Sequence, residues 1–190
     1  MTMDLKQYRL MDLSVLTFLA VVAQVLGTYL HNILPGAGFY LNFGVLITII
    51  AIYRWGAYGT LVLMISGIPM IIMGVNLIGI NLVLHVIAPG LIVGLTLIFR
   101  KWKAQDILFD TLQLLLLTVA AYVLLAIGQG IGVLLLGENP ITAGVMYFLS
   151  NSFSMLMTYV VLLLVRKRPG LMIDMKTYFE REQNNHEYSS

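Results

Sequence analysis

Apolar residues occupy six long blocks of this chain, each bounded by a short connection rich in polar residues, glycine or proline. Crossing about 30 Å of hydrocarbon takes about 20 mostly apolar residues, so the blocks at about 11–32, 39–53, 57–74, 77–99, 107–136 and 142–165 read as membrane-spanning helices. The second and third are short and joined only by Tyr53-Arg54-Trp55-Gly56, which predicts a tight turn. The fourth contains Ala88-Pro89-Gly90, where proline removes one backbone bond and crowds the preceding turn. Gly67-Ile68-Pro69 and Gly74-Val75-Asn76 flank the far end of the third. In the overlong fifth block, Gly128-Gln129-Gly130-Ile131-Gly132 predicts a bend in the outer third. After the last block, apolar residues at 171/172, 175 and 178/179 keep a helical period, with Asp174, Lys176 and Glu180 elsewhere on the wheel. That pattern predicts a short amphipathic helix at the interface. The fold class is therefore an all-α integral membrane protein. Residues 1–168 form the six-helix domain, and 169–190 the interfacial helix and a disordered tail.

Composition agrees: 59% of residues are apolar and 11% charged, against roughly 25% charged in soluble domains. Charge distribution adds an orientation. Lys6, Arg9, Arg54, Arg100, Lys101, Lys103, Arg166, Lys167, Arg168, Lys176 and Arg181 all fall in alternate connections, while those around Pro35, Asn76 and Asn139 hold no cation. Lys and Arg mark cytoplasmic flanks, so both termini are expected inside. Basic ends suit an anionic inner leaflet, and membrane lipid rather than nucleic acid accounts for them. The chain has no cysteine, which excludes disulfides, thiolate nucleophiles and cysteine-based metal sites. The first apolar run, from about Leu13 to Tyr29, exceeds a signal core and lacks an A-x-A site, so it is expected to be retained. These features place the chain in a bacterial inner membrane as a multi-pass protein.

Polar residues inside membranes are costly and need a partner or a purpose. Gln24, Tyr29, His31 and Asn32 end the first span, and Tyr40 and Asn42 open the second. Asn76 and Asn81 surround the next outer connection, and His85 follows Asn81 by four, on the same helical face. Gln129 lies in the outer part of the fifth span, while Tyr147, Ser150, Asn151, Ser154 and Thr158 stripe the sixth. Most lie in outer halves. Amides, hydroxyls, aromatic rings and imidazoles converging on one end describe a pocket for a small, flat, nearly neutral molecule. The candidate substrate-binding set is His31, Asn32, Tyr40, Asn42, Asn76, Asn81, His85, Gln129, Tyr147 and Asn151. Hydrogen bonding between helices is the competing role for each of them.

Small residues Ser14, Thr17, Ala20, Ala23 and Gly27 line one face of the first span, for packing within the bundle or for docking a partner. Metal binding is disfavoured, because Glu138 is the lone carboxylate on the outer side. His-Glu-x-x-His, Gly-x-Ser-x-Gly and Walker signatures are all missing, so neither an enzyme nor a cofactor is expected, and energy for transport would have to come from a partner.

Ala20, Ala23 and Gly27 resemble a loose form of the Ala-x-x-x-Ala motif of the S components of energy-coupling factor (ECF) transporters. Phe39-Tyr40-Leu41-Asn42-Phe43-Gly44, followed by Tyr53-Arg54-Trp55-Gly56-Ala57-Tyr58-Gly59, is similar to that family's second-to-third-helix pattern. The resemblance implies capture of a vitamin-like molecule from outside, in a pocket closed by the first and third outer loops. It also implies docking, through Ala20, Ala23 and Gly27, to a transmembrane coupling subunit driven by two ATPase subunits. The alternative resemblance is to the rod-shape-determining MreD family, of similar size and span count, which implies a structural role in cell-shape machinery.

Overall fold

The computed structural model describes residues 4–33, 41–73, 78–101, 110–168, 170–175 and 177–179, and their regular structure is helical. The first helix, α1 (Leu5–Ile33), is 29 residues long, and its apolar outer face carries Phe18, Val22 and Leu26. Next, α2 (Phe43–Trp55) is buried on nearly every side, as expected of a helix that is hydrophobic all round. At its end Gly56 takes φ +61, open to glycine at little cost, and a 3₁₀ turn covers Gly56–Gly59. The turn brings Gly59 so close to Ala51 and Ile52 that a Cβ there would overlap their backbone. The chain therefore reverses, and α3 (Thr60–Ser66) and α4 (Ile68–Met73) run back beside α2.

The fourth block is not a uniform helix. It divides into α5 (Ile78–Leu82), a π-helical turn (Val83–Ile87), a 3₁₀ segment (Ala88–Gly94) and α6 (Leu95–Lys101). Then α7 (Thr111–Leu134) starts at Asp110, whose Oδ1 accepts from the Leu112 and Gln113 N–H groups. Asn139 caps α8 (Pro140–Ser150) in the same way, with proline at the first helical position. The last helix is α9 (Ser152–Val165).

Four helical stretches are long and apolar enough to cross a membrane: Leu5–Leu30, Phe43–Ile72, Gly79–Phe99 and Thr111–Leu134. With their 49° bend, α8 and α9 make a fifth if taken as one span. The second stretch contains the reversal at Gly56–Gly59 and is folded in two.

The core sits on α2 and α7, where Val45, Ile49 and Ile52 meet Leu114, Leu117, Tyr122 and Leu125, with Leu162 of α9 alongside. Tyr122 Oη and Thr158 Oγ1 lie 3.0 Å apart in this layer, so the two hydroxyls satisfy each other. A second patch joins Ala20 of α1 to Ala51 and Val62. Lipid gives helices no hydrophobic reason to associate, so small residues that let backbones approach supply much of the contact.

The bend expected at Gly128–Gly132 is absent. α7 runs through it, and these glycines instead admit neighbours: Gly128 lies on the Ala88 carbonyl and Gly130 faces the Pro140 carbonyl. The bend lies at Asn151 instead. There Nδ2 donates to the Tyr147 carbonyl at 2.9 Å, while Ser150 and Ser152 bond back to Met146 and Leu149. Such back-bonding bends helices.

The proposed docking residues are already engaged within the chain. Ala20 is 0% exposed against α2 and α3, and Gly27 lies on the Leu41 carbonyl. Ala23 is half-buried. Of the two roles weighed for this face, the described contacts are those of packing within the bundle.

Long-range polar contacts tie the basic ends together. Arg54, 7% exposed, holds Asp12 of α1 through Nε (2.8 Å) and Nη2 (3.1 Å), and its Nη1 donates to the carbonyls of Gly170 and Leu171. The Trp55 indole N–H also donates to Asp12. At the α7–α9 end, Arg166 reaches Thr111 at 3.2 Å. The C-terminal segment follows this network inward: Met172 and Met175 are buried against the bundle, where an interfacial helix would have turned them to lipid. Asp174 starts a helical turn, accepting from Thr177 Oγ1. Residues 180–190, including the expected disordered tail, lie outside the described residues.

Candidate functional site

At the end of the bundle opposite the Arg54 network, the helices leave a cavity of about 180 Å³. Its polar wall is Gln24, Asn42, Ser66, His85, Gln129 and Tyr147, and its apolar wall includes Leu63, Pro89 and Leu125. These come from α1, the start of α2, the end of α3, the π-helical turn, α7 and α8. No Asp, Glu, Lys or Arg lines it.

Proline chemistry explains the broken wall. The Ala88 N–H, which in an α-helix would bond the Leu84 carbonyl, bonds Val83 instead. The next donor along, at position 89, does not exist because proline has no N–H. The Leu84 carbonyl is left over, and Gln129 Nε2 supplies the missing bond at 2.7 Å. Opposite, Gly67 lies so close to the His85 carbonyl that a Cβ would overlap it. The absence of a side chain at 67 lets α3 pack onto the displaced turn, which sets His85 at the cavity.

Asn42 enters from the start of α2. Its backbone N–H donates to Ser154 Oγ of α9 at 2.8 Å, which fixes the helix start. Its side chain is 7% exposed, and Oδ1 has no hydrogen-bond partner among the described residues. Asn151, 3% exposed, also has an unpartnered Oδ1 among the described residues, but it sits at the α8–α9 bend, outside the cavity lining. A buried acceptor left unsatisfied costs about 1–3 kcal/mol, and each such group calls for an explanation. For Asn42 a bound donor supplies one.

Of the ten candidate substrate-binding residues, the cavity brings together Asn42, His85, Gln129 and Tyr147. Asn81 lies one turn before His85, off the lining, and Asn151 is the hinge of the bend. His31 and Asn32 end α1 with side chains outside the described residues, and Tyr40 and Asn76 lie wholly outside them. Ser66 and Gln24 complete the wall without having been singled out as ligands. Gln24 carried a signal, a carboxamide within an apolar block. Ser66 carried only its neighbourhood, the Gly67-Ile68-Pro69 break.

A second hollow, an open groove of about 500 Å³ between α7 and α8, is lined by Ile127, Ile131, Ile141 and similar groups and offers no chemistry. Among the described residues no group of three or more His, Cys, Asp or Glu could hold a metal. No family model, curated protein or solved structure matches the chain.

Proposed function

We propose that this chain is a substrate-binding membrane subunit of an ECF-type importer, and that the cavity between Asn42, His85 and Gln129 is its substrate site. The observation that carries the reading is a charge-free polar cavity, enclosed by a broken helix and holding an unpartnered carboxamide oxygen at the end without cations. Interrupted helices line binding sites in many transporters, because the break frees backbone groups. An engineered apolar cavity of about 150 Å³ holds benzene, so about 180 Å³ suits one small ring system. Carboxamides at Gln24, Asn42 and Gln129 offer donors and acceptors side by side, His85 offers one of each, and Tyr147 adds an aromatic face. The substrate is a neutral, planar, vitamin-like heterocycle. A strongly anionic one is disfavoured because no cation waits for it.

In this reading six helices cross a bacterial inner membrane with both termini inside, α2 and α3–α4 forming two short spans. The cavity faces out and the Arg54 network faces in. Energy comes from ATPase subunits through a transmembrane coupling subunit. With Ala20 and Gly27 engaged internally, docking falls to other surfaces of the helices.

Mass spectrometry of the purified protein tests this. A tightly held small heterocycle, together with recovery of a coupling subunit and ATPases from native membranes, is the expected outcome. An empty protein that brings down cell-wall synthesis proteins would decide for the MreD-like scaffold.

A further inference from the structure

A separate cavity lies at the other end of the bundle. It measures about 480 Å³, within the range of small-ligand sites. Its walls come from the first turns of α1, the α2–α3 turn, α6 and the C-terminal segment. We infer that it binds the headgroup of a zwitterionic phospholipid, the phosphate on Arg9 and the ammonium at Asp174.

Arg9 is the reason to look for an anion. Its guanidinium carbon sits 4.0 Å from the centroid of the Tyr58 ring, and that stacking positions the group while leaving its N–H edge for an acceptor. Among the described residues no oxygen accepts from it. Arg54, on the same wall, is already committed to Asp12 and two carbonyls. A planar guanidinium suits a phosphate bidentately.

Asp174 is the reason the ligand carries a cation as well. It lies on the wall contributed by the C-terminal segment, and Thr177 Oγ1 holds it at 2.8 Å. A carboxylate has about four lone-pair sites, so that contact leaves room for an ammonium donor. With Asp12 and Arg54 neutralising each other, the cavity presents one positive and one negative group on different elements. A purely anionic headgroup would satisfy Arg9 and meet Asp174 as a repulsion. A phosphate joined to an ammonium satisfies both.

Position argues for a lipid source over a soluble one. The cavity lies at the basic ends of the helices, among Tyr8, Tyr53, Trp55, Tyr58 and Phe99, where aromatic side chains mark the membrane interface.

Native mass spectrometry of the full chain in detergent, with phosphatidylethanolamine and phosphatidylglycerol in equal amounts, tests the assignment. Phosphatidylethanolamine should be retained in preference. Arg9→Gln should lower its retention roughly tenfold, and Tyr58→Leu, which keeps the charge but removes its platform, should lower it less. Asp174→Asn should bring the two lipids to parity. Soluble glycerophosphoethanolamine should displace little of the bound lipid. Equal or greater retention of phosphatidylglycerol by the unaltered protein would overturn the zwitterion assignment, as would Arg9→Gln and Tyr58→Leu proteins that both hold phosphatidylethanolamine undiminished. Full displacement by the soluble headgroup would overturn the lipid source.

Discussion

Gln129 shows how one side chain can serve both structure and site. Its Nε2 repairs the carbonyl that Pro89 orphans, and the rest of the carboxamide faces the cavity. Gln129→Leu removes the donor and should cost about 1–3 kcal/mol, visible as a lowered thermal midpoint with or without ligand; an unchanged midpoint would mean the Leu84 carbonyl has another partner. Asn42, Gln129, His85 and Tyr147 were legible in the sequence because polar groups stand out against apolar blocks. The split of roles was not, since it depends on which carbonyl a distant proline leaves bare. The Asp12–Arg54 pair was equally hidden. The two are 42 positions apart and read as separate inner charges until the fold brings them together.

Helices and turns were legible to different degrees. The turn at Tyr53-Arg54-Trp55-Gly56 and the break near Pro89 follow from local chemistry, since glycine reaches positive φ and proline lacks a donor. Gly128–Gly132 misled because glycine has two uses in membrane helices, and close approach to the Ala88 and Pro140 carbonyls won over bending. At Asn151 the bend arises from side chains that compete for backbone carbonyls, a weaker signal than proline. Pro89→Ala tests the logic of the break. A restored N–H at 89 can bond back into the helix, draw the π-helical turn toward α-helical register and move His85. Ligand affinity should fall while thermal stability stays level or rises. Loss of stability with unchanged affinity would show that the break does not shape the site.

For the whole molecule, the separation of a basic end from a charge-free end organises everything else. The basic ends are joined by the Arg54 network and carry the inner cavity, while the opposite end carries the small polar one. A chain without cysteine makes the orientation directly measurable. Glu138→Cys, between α7 and α8, should react with a membrane-impermeant maleimide added outside intact cells. Arg168→Cys should react only after permeabilisation. Labelling in the reverse order would invert the topology and place the polar cavity inside.

The central claim is that the cavity lined by Asn42 and His85 holds a small neutral heterocycle. Ligand occupancy of the purified protein, compared with Asn42→Ala and His85→Ala forms of intact fold, tests it most directly. Each substitution removes a hydrogen-bonding group worth about 1–2 kcal/mol, so affinity should fall roughly 5- to 30-fold in each. Unaltered protein that carries no small molecule, or two variants that bind it as tightly as the parent, would contradict the account.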